Sequence, residues 1–141
     1  MKLHLAAAVI FGLSLAGCSN DSATRTPSPP GAKVFIIEPK DGAEVASPVT
    51  VRFGVEGINL VLADSDETLG SSHNLLIDTK LEDVTAPISV DANHQRFRLD
   101  QTETTVDLKP GKHTLQLVLG DYKNIPHDPV VQSNVIMITV K

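Results

Sequence analysis

Histidine is the residue whose type and placement offer this sequence its most evident chemistry. Four of the five histidines lie beyond residue 70, among polar residues or at the ends of apolar runs. Neutral imidazole nitrogens bind zinc and copper, and three converging side chains are enough for a site. Because no two of the four are close in sequence, each could equally be a hydrogen-bonding residue of a loop or strand end. A possible Zn or Cu site, with carboxylates as ligands or supporting partners, would comprise His73, His94, His127, Asp78 and Asp121.

Catalytic motifs are absent from the sequence. It contains no G-x-S-x-G, P-loop, G-x-G-x-x-G or H-E-x-x-H pattern. An acidic run at Asp64, Asp66 and Glu67 superficially suggests calcium, but it lacks the glycine and terminal glutamate of an EF-hand loop and predicts a solvated acidic loop. We therefore expect a protein that is not an enzyme. An enzyme would need a concave pocket with a nucleophile beside one of the histidines.

The first 17 residues have the pattern of a signal peptide. A basic start with Lys2 precedes an almost wholly apolar run over residues 5–15. As a helix that run would rise roughly 17 Å, about half of a hydrocarbon core, so it is too short to span a membrane. The tetrapeptide Leu15-Ala16-Gly17-Cys18 resembles the lipobox of bacterial lipoproteins. This resemblance implies cleavage before Cys18 and attachment of a diacylglyceryl group to its thiol.

Cys18 is the only cysteine of the sequence. No disulfide can therefore compete for its thiol within the chain. Two or more acyl chains hold a protein stably at a membrane. The next residue is Ser19 and not aspartate, which by resemblance to Gram-negative sorting rules implies the outer membrane, with the protein facing the periplasm.

The charge balance argues against nucleic acid as a partner. Loss of residues 1–17 removes one of the 12 basic residues and none of the 17 acidic ones, which leaves a net charge of −6. Nucleic acids and anionic bilayers both require clustered Lys and Arg, and no basic run occurs. With no Trp and one Tyr, the chain is also poor in side chains that could stack on bases or sugars.

Residues 18–32 predict a lipidated, disordered tether, and residues 33–141 predict one small all-β domain. The tether is rich in Ser, Thr and Pro and has no apolar periodicity. In the domain, apolar and polar residues alternate most clearly over 49–55 and 113–119. No segment has the repeat of an amphipathic helix. Further short strands are predicted at 33–36, 75–77, 102–108 and 135–140.

About seven short strands separated by turns predict an immunoglobulin-like β-sandwich. Its long polar loops would be residues 57–72, 78–95 and 120–133, and such loops are where binding residues usually lie. Residues 108–115 resemble the corner before strand F of immunoglobulin-like domains, in which a Tyr or His hydrogen-bonds back across the turn. We therefore predict a structural role for His113.

Several segments of the domain resemble a bacterial family known only as domain of unknown function 4399, whose members are small exported domains. The resemblance covers residues 37–141 and implies no activity, because none is attached to the family name. The segments that carry it are EPKDGA from Glu38, HNLLID from His73, DANH from Asp91, QTET from Gln101 and PGKHTLQLVLGDYKNIPHDP from Pro110.

This chain has fewer histidines than the pattern it resembles. Typical members read GHHHLLID where this chain reads SSHNLLID, and NHxHF where Arg96 replaces the second histidine. They also carry histidine in the loop that here contains Tyr122 and Asn124. The resemblance implies either a reduced metal or proton-linked site or histidines that were always structural.

The sequence favours a non-enzymatic lipoprotein of the cell envelope. We expect it to bind an envelope protein or another envelope component through its long loops. The alternative is a periplasmic protein that binds Zn or Cu through the surviving histidines.

Overall fold

The computed structural model describes residues 25–58 and 71–141. The predicted signal peptide, Cys18 and the acidic run at Asp64 lie outside the described residues. Among the residues described, no helix is long and apolar enough to cross a membrane. The elements are all strands: β1 (Lys33–Glu38), β2 (Glu44–Val45), β3 (Val49–Glu56), β4 (Ser72–Ile77), β5 (His94–Arg98), β6 (Glu103–Val106), β7 (Gly111–Gly120) and β8 (Ile136–Val140).

The strands form two sheets, so the predicted all-β sandwich is confirmed. One sheet has three strands in the order β1-β3-β6, and the other has five in the order β2-β8-β7-β4-β5. All pairings are antiparallel except that of β2 with β8. The described residues contain eight strands, where about seven were expected. The two unpredicted strands are the two-residue β2 and β5, which lacks clear alternation of apolar residues.

The main core lies between the two sheets and follows the alternation seen in the sequence. In β3, Val49, Val51 and Phe53 are buried while Thr50 and Arg52 face solvent. Each fully buried side chain of this size contributes roughly 1.5–3 kcal/mol through the removal of apolar surface from water. Opposite β3, the five-stranded sheet contributes buried side chains that include Leu75, Leu115, Leu117 and Ile138.

The five-stranded sheet is buried on both faces at its centre. All six residues of β4 are buried, although side chains alternate between the two faces of a strand. The outer face is covered by two long connections, residues 78–93 and 121–133, which we call the loop layer. A second, small apolar cluster of Leu76, Val118 and Ile88 joins the loop layer to the sheet.

The N-terminal end of the described chain differs from the predicted tether. Residues 25–28, which we call the strap, are hydrogen-bonded to the loop layer instead of being disordered. Pro27 forms a parallel bridge with Asp128, and two backbone hydrogen bonds flank that bridge. These bonds offset the conformational entropy of ordering the segment, an effect that a composition rich in Ser, Thr and Pro does not reveal.

Candidate functional site

The structure separates the three histidines that were predicted to share a metal. His73 lies opposite Phe97 in the pairing of β4 with β5, whereas His94 lies opposite Leu76. Paired residues point to the same face of a sheet and successive residues to opposite faces. His73 therefore faces the main core, and His94 faces the outer side. The described residues contain no group of three or more His, Cys, Asp or Glu side chains arranged to hold a metal ion.

His73 is enclosed by apolar side chains. It has no exposed surface, and its ring meets that of Phe53 edge-on with 4.9 Å between centroids. Neither ring nitrogen has a hydrogen-bond partner within the described parts of the chain. Burial lowers the pKa of His73 from 6.5 to about 4, and this effect outweighs the opposite effect of the Leu99 backbone. His73 is thus a neutral core residue at pH 7.

His94 closes the turn before β5. Its Nδ1 donates to Asp91 Oδ1 at 2.8 Å, and the backbones of the two residues exchange hydrogen bonds. The hydrogen bond from the His94 side chain lowers the pKa of the exposed Asp91 carboxyl. The Asn93 side chain donates to the carbonyl of Ile77 at 2.8 Å and ties the turn to the end of β4. The arrangement accounts for His94 as a turn residue.

His113 and Asp78 form an ion pair at the opposite end of the sandwich from Ser72. His113 Nδ1 donates to Asp78 Oδ2 at 2.6 Å, and His113 Nε2 donates back across the turn to the Lys109 carbonyl at 2.7 Å. Because both partners are acceptors, the two hydrogen bonds form together when both ring nitrogens carry protons, which favours the charged ring. The hydrogen bond to Asp78 is the main cause of the raised pKa of His113. Asp78 also accepts from the Thr114 amide, which fixes the corner.

His127 and Asp121 lie in the loop layer near the start of β4. His127 is buried, and its Nε2 shares a hydrogen bond with Ser71 Oγ at 3.3 Å. Its Nδ1 has no partner among the described residues. Asp121 accepts from the amides of Lys123 and Ile125, so its carboxylate closes the loop.

A serine beside a histidine is the arrangement that an enzyme would require, and Ser71 with His127 is such a pair. In a serine nucleophile site, a carboxylate holds the other histidine nitrogen so that the imidazole can act as a base. The His127 Nδ1 lacks any such group in the described chain. Within residues 25–58 and 71–141, no side chain therefore orients this imidazole as a base.

The polar centre of the loop layer is an amide pair that sequence reasoning missed. Asn74 Nδ2 donates to Asn124 Oδ1 at 2.8 Å, and Asn124 Nδ2 donates to Asn74 Oδ1 at 3.0 Å. Asn124 also forms two hydrogen bonds with Ile88: its backbone carbonyl accepts from the Ile88 amide, and its side-chain Nδ2 donates to the Ile88 carbonyl. Both asparagines are buried. The pair therefore joins β4 to both connections of the loop layer.

Four positions at which this chain departs from the histidine-rich pattern lie at this centre. Asn74 and Ser72 lie on the outer face of β4, and Arg96 lies opposite Asn74 on β5. Arg96 Nε donates to Ser72 Oγ at 2.9 Å, beside the bonded pair of Asn74 and Asn124. Four positions scattered in sequence thus meet on one face. Without coordinates, nothing in their spacing shows that they are neighbours.

The loop layer presents two large side chains to solvent. Val90 is 67% exposed in the first connection, and Tyr122 is 42% exposed in the second. The Lys123 ammonium lies 5.4 Å from the centre of the Tyr122 ring, within the range of a cation–π contact. Because Ile88 and Asn124 bond the two connections together, these side chains project from an ordered surface.

A family profile described as "Domain of unknown function (DUF4399)" matches residues 51–141. The chain belongs to the DUF4399 family. The match begins within β3, so β1 and β2 of this DUF4399 protein precede it. No curated protein matches the chain.

A solved structure entitled "Structures of Clostridium thermocellum CbhA fibronectin(III)-like modules" is similar to this DUF4399 protein. The two are 13% identical, with a TM-score of 0.42 over 77% of this chain and 45% of that one. The DUF4399 chain thus spans less than half the length of the chain that it matches.

Proposed function

We propose that this DUF4399 protein is a lipid-anchored, non-enzymatic binding module of the bacterial envelope, held at the outer membrane and facing the periplasm. The anchor is supported by Leu15-Ala16-Gly17-Cys18 after an apolar run of signal-peptide length. The proposal of a non-enzymatic role rests on the sequence, which contains no G-x-S-x-G, P-loop, G-x-G-x-x-G or H-E-x-x-H pattern. The proposal includes no metal cofactor.

Cys18→Ser is expected to abolish lipidation. Cells that express the wild-type protein and grow on labelled palmitate should yield a labelled band, because the Cys18 thiol and its new amine carry the acyl chains. The variant should yield none and should keep its signal peptide. Ser19→Asp is the matched control: it should retain the label while moving the protein to the inner-membrane fraction. Equal labelling of the wild type and Cys18→Ser would contradict the anchor.

The observation that carries the binding role is the ordered loop layer. Two long connections are bonded to each other through Ile88 and Asn124 and expose Val90 and Tyr122. Aromatic side chains on an ordered surface are favourable centres for protein contacts, because they bury a large area at a low entropic cost. A rigid sandwich that displays such loops is suited to binding an envelope protein.

Photo-crosslinking in intact cells tests the binding surface. A crosslinking amino acid in place of Tyr122 or Val90 should yield the same discrete adduct with an envelope protein. The matched control places it at Thr50, which is exposed on the other sheet. Adducts at the two loop positions and none at Thr50 are expected. Adducts of equal yield at all three positions, or at none, would argue against the loop layer as the binding surface.

A further inference from the structure

The strap fixes the point at which the N-terminal segment leaves the folded domain. The amide of Ser28 donates to the Asp128 carbonyl at 3.1 Å, and the amide of Asp128 donates to the Thr26 carbonyl at 3.0 Å. The Thr26 hydroxyl donates to Asp121 Oδ2 at 2.8 Å. Since Asp121 also closes the loop through two backbone amides, the strap binds to a segment that is itself ordered.

Arg25, the first described residue, is held by the same loop. Its Nε donates to the Pro126 carbonyl at 3.2 Å, and a terminal nitrogen donates to the His127 carbonyl. The guanidinium also lies 3.6 Å from Asp128 Oδ1, and the side chain is only 17% exposed. Several directed bonds to one arginine set its position and its orientation.

The loop that binds the strap lies at one end of the sandwich. It follows Gly120 at the C-terminal end of β7, and Gly120 pairs with Pro126 and lies opposite Ser72. The other end of β7 begins at Gly111, beside the Asp78–His113 corner. The ten residues of β7 separate these ends by roughly 30 Å.

The short connection between Arg25 and Cys18 keeps this end of the sandwich close to the proposed lipid anchor. Arg25 follows Cys18 by seven residues, and a chain of that length cannot extend beyond roughly 25 Å. We propose that the strap orients the domain on the membrane, with the 121–129 end facing the lipid surface and the Gly111 end facing the periplasm. This inference rests on the proposed lipidation of Cys18. Because Tyr122 lies at this end, the envelope protein proposed to contact it would itself lie at the membrane surface.

Energy transfer from the domain to the bilayer tests the orientation. The full lipidated protein is placed in phosphatidylethanolamine and phosphatidylglycerol vesicles that carry an acceptor dye on a fraction of the headgroups. Lipid occupies the Cys18 thiol, so one engineered cysteine can be labelled selectively. Lys123→Cys marks the strap end, and Lys112→Cys marks the far end; both lysines are exposed. The label at 123 should transfer energy several-fold more efficiently than the label at 112.

Variants of the strap test whether its hydrogen bonds set the orientation of the domain. Arg25→Ala combined with Thr26→Val should reduce the difference in transfer efficiency between the two labels by half or more, because the strap is then no longer bonded to the 121–129 loop. Thr26→Val alone is a milder change, and it should reduce the difference in transfer efficiency by an intermediate amount. This single variant keeps the test valid if the double variant is poorly folded. Arg98→Ala is the matched control, because Arg98 lies at the same end and pairs with the exposed Asp100. It should leave the difference unchanged.

The outcomes separate the orientation from the anchor. Protein that floats with the vesicles and shows equal transfer from both labels overturns the orientation while preserving the anchor. Floating protein whose strap variants keep the full difference overturns the role of the strap. Protein that fails to float with the vesicles overturns both proposals.

Discussion

Acidification from pH 7 to pH 4 is expected to destabilise the folded domain by about 3 kcal/mol through His73 alone. Burial against Phe53 lowers the pKa of His73 from 6.5 to about 4, so folding favours the neutral ring. The unfolded chain takes up the proton first as the pH falls. The free energy of unfolding therefore includes the full contribution of the neutral His73 ring above about pH 6.5. That contribution declines as the pH falls to about 4, and below pH 4 it no longer changes.

Denaturant unfolding of the soluble chain from Ser19 onward, at pH 7 and at pH 4, measures this loss. His73→Leu, which keeps a similar volume, should lose about 3 kcal/mol less than the wild type over the same range. It should also be more stable at pH 7 by about 1 kcal/mol or more, because a buried ring without a hydrogen-bond partner is removed. Carboxylates titrate in both proteins, so the difference between the two losses of unfolding free energy reports on His73 alone. Equal losses in the two proteins would refute the assignment.

Asn124→Ala is expected to destabilise the domain by about 2–4 kcal/mol. It removes both bonds of the amide pair and leaves the buried side chain of Asn74 with only its 3.3 Å contact to the Val118 carbonyl. It also removes the side-chain bond to Ile88. The backbone of Asn124 adds to the cost, because its φ of 60° is more easily adopted by Asn than by Ala.

Thermal and denaturant unfolding should separate this effect from a generic surface change. Asn134→Ala, at an exposed asparagine directly after that connection, should stay within about 0.5 kcal/mol of the wild type. In the double variant Asn74→Ala with Asn124→Ala, the loss should be smaller than the sum of the single losses, because both partners of one interaction are absent. An Asn124→Ala protein as stable as the Asn134→Ala control would show that the pair contributes nothing.

Local alternation was sufficient to predict most of the sandwich. β3 and β7 bury one residue in two toward the main core, and that period is visible in the sequence without coordinates. β5 was not predicted because Phe97 is its single large apolar residue, so the strand shows no alternation of apolar and polar residues. The position of β5 in the sheet is decided by its pairing with β4. β2 is a two-residue parallel pairing whose position depends on β8.

The candidate site was much less predictable, because it depends on which residues of distant segments meet. His73, next to polar residues in sequence, points into the core because it shares a face with Leu75 and Ile77. The bond between Asn74 and Asn124 joins residues 50 positions apart, and no local pattern encodes it. The strap is held by side chains such as Asp121, which composition cannot reveal.

The two cores on opposite faces of the five-stranded sheet have a consequence for partial opening. The outer cluster of Leu76, Val118 and Ile88 is small, whereas the main core unites both sheets. We therefore expect the loop layer to open as a separate cooperative unit while β4 and β7 stay paired. Amide hydrogens of Ile88 and Asn124 would then exchange with solvent through this local opening, well before those of Leu75 or Leu117. A partner that binds only the closed layer would slow that exchange without changing the sandwich beneath it.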